Sequence, residues 1–400
     1  MKIGKLFFIV LSLLALQSCK DRSSIGERER EVILRSPDSD LFPDKVETTY
    51  AKNFSVTYHG YYKVVNLHFE SEQRKLSYQQ KLVLVQRGAP TPPAAELTNA
   101  WVMEIPAKTV AANDDGEVMR LQSLELTDGL IAMGGGDIYD TLLRKRWENK
   151  EITSIGYSIT HAPAPEVMVN SNPDIALLYS FDNDRLTAIN KLRQLGVNAI
   201  PTFAWAEDSY LGKAEWIKFT SLFFNEEAKA NSFFDPIEKR CFELTALVSS
   251  QKKPVTACWL YFPSSEADWN AHRNDFMASY LAGIGVTNVL KDNGPTHQVG
   301  ITNEYLIAQA KEADFWIVNS TTDKDWPPLA YLTIFKAYRE GNIYHYQFRT
   351  NHEHNAYDWY ETAEVRPDLV LEDLVHIFYP EVLPGHKLFF FDKVKLTQQK

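Results

Sequence analysis

Twice along this chain, short apolar runs alternate with longer amphipathic stretches, and one long helical stretch separates the two series. No other feature limits the possible folds so strongly. From about Val118, residues 152–157, 175–179 and 199–203 read as strands, and residues 185–195 carry apolar positions at helical spacing before Gly196, a residue suited to ending a helix. Residues 211–249 are helical in character, with Pro236 lying between 214–224 and 237–248, and the second half is expected to form one long connecting helix. The alternation then restarts, with strands at 255–261 and 315–318 and helices at 274–282 and 303–311. Strands alternating with helices imply a mostly parallel sheet covered on its faces. The expected fold is therefore α/β: two Rossmann-like lobes joined by a long connecting helix.

Ahead of the lobes, residues 48–87 alternate apolar and polar positions in three runs, 54–58, 62–67 and 80–85. These predict a small N-terminal β meander, stopped at 88–93 by Gly88, Pro90, Pro92 and Pro93, with another short strand at 101–105. The extreme N-terminus has Lys2 and Lys5, an apolar run at 6–16, then Leu16-Gln17-Ser18-Cys19, the pattern of a lipoprotein signal cut before a lipidated cysteine. The apolar run is short of the ~20 residues that a spanning helix needs. The expected division is a signal peptide at 1–18, a disordered tether at 19–44, a β segment at 45–117, an N-lobe at 118–225, the connecting helix at 226–252 and a C-lobe at 253–400. The expected location is the cell envelope, anchored by lipid on Cys19, on the periplasmic side of the inner or outer membrane or exposed at the surface.

A net charge of −10 and the lack of a basic run interleaved with aromatics exclude a general nucleic-acid binder. Beyond Cys19 only Cys241 and Cys258 remain, too few for a disulfide scaffold and without the spacing of a zinc or haem attachment site, so each is expected to be a buried thiol. His352-Glu353-His354 offers two imidazoles but no third ligand, and Gly134-Gly135-Gly136-Asp137 lacks the lysine and the spacing of a phosphate loop. No nucleophile elbow and no Ser/His/Asp ordering is present, so no catalytic residue and no cofactor are expected. The two lobes echo each other: Asp174 and Asp314 each precede a buried apolar strand, ending at Tyr179-Ser180 and Asn319-Ser320. Ligands of open α/β sheets sit outside the carboxyl ends of strands, which makes both pairs candidate mouth residues of one cleft.

Several segments stand in a recognisable order: Tyr50-Ala51-Lys52-Asn53-Phe54-Ser55-Val56, Leu84-Val85-Gln86-Arg87-Gly88-Ala89, Asn172-Pro173-Asp174, Leu211-Gly212-Lys213-Ala214-Glu215-Trp216-Ile217-Lys218-Phe219, Phe276-Met277-Ala278 and Arg366-Pro367-Asp368-Leu369-Val370-Leu371-Glu372-Asp373-Leu374. Together they resemble the substrate-binding lipoproteins of ABC importers, of the iron-siderophore and cobalamin class found in Bacteroidetes. The resemblance implies a carrier that captures an iron chelate, haem or a corrinoid between its lobes and hands it to an ABC permease.

The resemblance also points to aromatics at strand ends: Tyr179, Trp205, Trp259, Tyr261, Phe262, Trp269 and Trp359, with Glu207 beside Trp205, while Trp216 and Trp316 look like core. An anionic chelate would want guanidinium partners, for which Arg273 and Arg349 are best placed. Docking on the permease would use a carboxylate from each lobe, Glu125 or Asp128 and Asp275, although Leu124-Glu125-Leu126 and Gly134-Gly135-Gly136 depart from the family pattern. The rival classes are a lipid-anchored enzyme on the same scaffold and a surface lipoprotein that passes its chelate to an outer-membrane receptor.

Overall fold

The computed structural model describes residues 40–397 apart from 73, 158–161, 252, 262–268, 293–298, 325 and 327–328. The signal peptide, Cys19, most of the tether and Phe262 lie outside the described residues.

Strands β1 (Phe54–His59), β2 (Tyr62–Ser71) and β3 (Leu76–Gln86) pair antiparallel in sequence order. The fourth strand, β4 (Ala100–Ile105), joins β3 in parallel, because the chain crosses back through residues 87–99 first. The meander expectation thus describes three of the four strands. The packed chain also begins before residue 45: Leu41 N donates to the Gly60 carbonyl (2.7 Å) and Phe42 is buried against Tyr58. An apolar pair in a polar run is enough to seat it, which shortens the expected tether.

The N-lobe sheet is entirely parallel. Its strands are β5 (Val110–Ala112), β6 (Leu130–Met133), β7 (Thr153–Ser154), β8 (Ile175–Tyr179) and β9 (Ala199–Thr202), in spatial order β7-β6-β5-β8-β9. The first strand in sequence sits mid-sheet, with later strands added first on one side and then on the other, the Rossmann arrangement. The N-lobe therefore starts before Val118: β5 is its central strand, and the first helix, α1 (Asp115–Ser123), already contains that residue. Three residues are too few to show a period, which is why β5 escapes a reading by alternation.

The C-lobe sheet has the order β13-β11-β10-β14-β15-β16, built on β10 (Thr256–Tyr261), β11 (Trp269–His272), β13 (Val299–Ile301), β14 (Phe315–Val318), β15 (Ile343–His345) and β16 (Asp392–Lys393), with β12 (Thr287–Asn288) paired in parallel to β10 off this path. β10, β14 and β15 run parallel, whereas β11 is antiparallel to β10.

Two helices bind the lobes together. Helix α2 (Tyr210–Ser221) is buried on all sides, so its charged residues must be satisfied internally. Glu215 accepts backbone N–H bonds from Thr49, Tyr50 and Ala51 and pairs with Lys218 (2.9 Å). The connecting helix α3 (Glu227–Val248) buries Ala230, Phe234, Ile237, Cys241, Leu244 and Val248, a three-four spacing that seats one stripe on the final helix α4 (Pro367–Phe378) and on α2. Pro236 lies inside α3 instead of separating two helices. It is exposed, so the carbonyl deprived of its partner faces water. The break falls earlier, at 222–226, where Asn225 takes a positive φ of 57°. Cys241 and Cys258 are both free and buried.

Candidate functional site

The Rossmann strand order creates a switch point between β5 and β8, where the chain leaves in opposite directions and opens a crevice at the strand carboxyl ends. Asn113 follows β5 and Tyr179 ends β8. Asn113 is wholly buried, and its Oδ1 accepts the Tyr179 N–H (3.0 Å), pinning the two ends together.

Asp114 and Asp115 come next. Asp114 is the N-cap of α1, yet its carboxylate makes no capping bond. Both acids retain contact with solvent although protein surrounds them deeply, as do Tyr157 and Tyr179; that combination describes a narrow cleft. Burial pushes Asp114 up to about 7, helped by the charges of Glu364 and Glu117. It pushes Asp115 well above the usual carboxylate range, helped by Glu361 and Asp114 and opposed by a hydrogen bond from Tyr157.

Tyr157 also bonds Asp137, so one hydroxyl bridges two acids. Its ring lies on the glycine run: a Cβ on Gly134 would stand 3.0 Å from the ring and one on Gly135 2.9 Å, while one on Gly136 would stand 2.5 Å from the Trp147 ring. The three glycines are a seat for two aromatics.

The facing wall belongs to the C-lobe. Tyr261 ends β10 and, like Tyr360, is partly exposed; Tyr261, Tyr360 and the buried Tyr346 are linked by hydrogen bonds. Glu361 reaches across to the N-lobe, accepting the backbone N–H groups of Tyr139 and Asp140. Burial raises it to about 8. Glu364 takes Lys213 (2.5 Å) and approaches Arg120 Nη2 (3.6 Å), both N-lobe cations, and a Cβ on Gly116 would come within 3.0 Å of its Oε2.

The sequence candidates divide. Tyr179, Trp205 and Tyr261 stand at the mouth. Trp205 is half-buried, packs near Tyr179 (6.1 Å), donates from Nε1 to the Ser180 carbonyl (3.1 Å) and carries the Arg74 guanidinium over its ring at 4.7 Å.

The other candidates are buried or already paired. Glu207 is buried away from the cleft, accepting from Lys52 N (2.9 Å), Asn53 N (3.0 Å) and Trp216 Nε1 (2.9 Å). Trp259 and Trp269 lie in the sheet with no exposure, because both point into apolar layers; Trp269 is on β11, not in a loop, and packs on Trp316 and Trp326. Trp359 is buried against Tyr346, Phe390 and Phe391. Arg273 is consumed by Asp292, the Leu290 carbonyl and the Tyr305 hydroxyl. Arg349 pairs with Asp358.

Asp275 is no surface acid either. It caps the helix Phe276–Gly283 through Ala278 N (3.1 Å) and bonds His272 Nδ1 (2.6 Å). Burial alone would raise it, but these partners hold it below the usual range. Glu125 and Asp128 are exposed, but they follow α1 and precede β6, which puts them at the amino edge of the sheet, opposite the cleft; Glu125 pairs with Lys229 near the start of α3 (3.3 Å). His352 and His354 sit in a surface turn, and no group of three or more metal-ligating side chains occurs among the described residues.

Asp114, Asp115, Tyr157, Tyr360, Glu361 and Glu364 have no distinctive spacing. Asp114 and Asp115 could have been found only by taking Val110-Ala111-Ala112 as a strand and reading the acids as its carboxyl end.

The fold is that of the two-lobe, helix-linked solute-binding proteins. The chain superposes on a periplasmic heme-binding protein, RhuT, from Roseiflexus (TM-score 0.53, 15% identity, 68% of this chain and 98% of that one). It superposes likewise on a periplasmic vitamin B12 binding protein, BtuF, of Vibrio cholerae (TM-score 0.51, 13% identity, 70% and 99%). An uncharacterized lipoprotein of Methanocaldococcus jannaschii is 24% identical over 339 residues, 79% of this chain and 77% of that protein. No family model matches. No described helix is long and apolar enough to cross a membrane.

Proposed function

We propose that this chain is a lipid-anchored solute-binding protein of an ABC importer, capturing an iron chelate, haem or a corrinoid between its lobes and releasing it to the permease without chemical change. The observation that carries this is the meeting, across one cleft, of the N-lobe switch point (Asn113 to Asp115, Tyr157, Tyr179) with the C-lobe tyrosines Tyr261 and Tyr360. Few placed polar groups among aromatic surfaces suit a large, rigid ligand. The neighbours of this fold are named as binding proteins, which supports a carrier over an enzyme. The common core running through α2, α3 and α4 makes the hinge stiff, so small lobe motions suffice. The Asn172-Pro173-Asp174, Leu211 to Phe219 and Arg366 to Leu374 segments further favour the Bacteroidetes type of carrier.

The test is calorimetric titration of the lipid-free chain (Cys19→Ser) with cobalamin, haemin and ferric chelates, repeated with Tyr179→Ala and Tyr360→Ala. One ligand is expected to bind at submicromolar concentration and to weaken in both variants. Turnover of a bound chelate would overturn the carrier reading.

A further inference from the structure

Building on that reading of the cleft, we infer that the tip of the β2–β3 hairpin forms one lip of it, and that Arg74 on this tip receives an anionic oxygen of the bound chelate beside Trp205 and Tyr179.

The hairpin reaches the mouth because its strands are long. β2 and β3 hold 10 and 11 residues, and Phe69 and Tyr78 are cross-strand partners near their far end. Both rings pack on Phe203, which follows β9, at 5.2 Å and 5.4 Å, and Phe69 also meets Trp205 at 5.3 Å. Beyond this clamp the turn is fastened to residues just past the carboxyl end of β8. Asn183 Nδ2 donates to the Lys75 carbonyl (3.2 Å), and Arg74 Nη1 donates to the Phe181 carbonyl (3.4 Å). The N-terminal sheet therefore stands at the same strand ends as Tyr179 and Trp205, and its hairpin belongs to the site.

Arg74 is exposed and pairs with no carboxylate among the described residues, yet it is not loose. Its guanidinium lies over the Trp205 ring at 4.7 Å, a contact that holds the fork in place before any ligand arrives. A guanidinium has five N–H donors; one goes to the Phe181 carbonyl, which leaves donors for an incoming carboxylate or catecholate. Burial raises the Tyr179 hydroxyl and the Arg74 charge works against it, so guanidinium and hydroxyl share one neighbourhood. The other arginine of this rim is committed: Arg185 lies over the Phe181 ring (4.2 Å) and pairs with Asp182 (2.6 Å). The acids deeper in the cleft do not cancel the Arg74 charge, since burial keeps Asp115 and Glu361 protonated at neutral pH and Glu364 is paired with Lys213. Two kinds of chelate carry the required oxygen, a tetrapyrrole with carboxylates and a ferric catecholate. A neutral hydroxamate chelate would leave the contact unused.

The experiment uses two matched pairs: haemin with its dimethyl ester, and a ferric tris-catecholate with a neutral ferric tris-hydroxamate. Each is titrated calorimetrically into the lipid-free chain and into Arg74→Gln, Arg74→Lys and Lys75→Gln, with circular dichroism to verify folding. Arg74→Gln is expected to weaken an anionic probe roughly 5- to 30-fold, less than a buried charge-assisted bond is worth because the site is exposed, and to leave its neutral counterpart within about twofold. Arg74→Lys should restore part of the loss by keeping the charge without the planar fork. Lys75→Gln, which removes the adjacent exposed cation, should leave every probe within about twofold. A loss confined to haemin identifies a carboxylate and a loss confined to the catecholate identifies that chelate; either supports the inference. Three results overturn the anion contact and leave the carrier reading standing: equal losses for charged and neutral probes, anionic probes bound by Arg74→Gln as by the parent, or binding of neutral probes alone. No saturable binding of any probe overturns both.

Discussion

Replacing Glu207 separates a structural carboxylate from a ligand-binding one. Its two oxygens accept from Lys52 N, Asn53 N and Trp216 Nε1, and Asn53 and Trp216 are buried. Glu207→Ala strands these donors, of which the buried ones cost about 1–3 kcal/mol each. Against that, burial already raises the Glu207 carboxyl above its usual range, so removing it also relieves a desolvation cost. The net loss is about 3 kcal/mol, a large share of the roughly 5–15 kcal/mol that holds a domain folded. With a urea slope near 3 kcal/mol per molar, the midpoint should fall by about 1 M. Urea unfolding followed by far-ultraviolet circular dichroism measures it, and chelate affinity at low urea should stay within about twofold, since the residue does not face the cleft. An unchanged midpoint with lost ligand would refute the placement and restore Glu207 to the binding site.

The remaining predictions concern the core, the glycine seat and pH. Trp269→Ala should destabilise the chain by about 3–5 kcal/mol by opening a hole against Trp316 and Trp326, seen as a lower thermal midpoint; a variant that is stable but blind to ligand would contradict it. Gly136→Ala should cost about 1–3 kcal/mol, because its Cβ would stand 2.5 Å from the Trp147 ring; chemical denaturation checks this, and a neutral substitution would mean the ring moves freely. Glu361 holds its proton up to about 8 when folded against a usual 4.5, so the folded chain binds the extra proton between those values. Its contribution to stability is complete below about pH 4.5 and lost as pH rises through about 8, giving a thermal midpoint that declines over that window. Glu361→Gln should flatten the decline, and a wild-type midpoint that rises with pH there would contradict it.

The architecture was legible because its signals are periodic. Ile175–Tyr179 and Phe315–Val318 are apolar runs long enough to stand out, and Gly196 punctuates the unit that joins β8 to β9. The site was far less legible, for a physical reason. An aromatic residue at a strand end buries a large area whether it faces core or ligand, and how far along the strand it stands decides as much as the face it points to. Trp259 and Tyr261 are two residues apart on one strand; one is sealed beneath Tyr280 and Tyr346 while the other meets solvent. Charged residues mislead in the same way: Glu207 and Asp275 look like surface groups but satisfy buried donors. Asp114 and Asp115 went unmarked because the strand that positions them is three residues long.

The most direct test of the central claim is intrinsic fluorescence of the lipid-free chain, titrated with coloured chelates, comparing the parent with Trp205→Phe. Trp205 stands at the mouth beside Tyr179, whereas Trp216, Trp259, Trp269 and Trp316 are sealed in the cores. If ligand enters the interlobe cleft, one chelate should quench the emission saturably at a single site, and Trp205→Phe should lose the largest share of that quenching while calorimetry shows binding intact. Quenching that is unchanged in Trp205→Phe, or the same in Tyr179→Ala and Tyr360→Ala as in the parent, would place the ligand elsewhere and contradict the account.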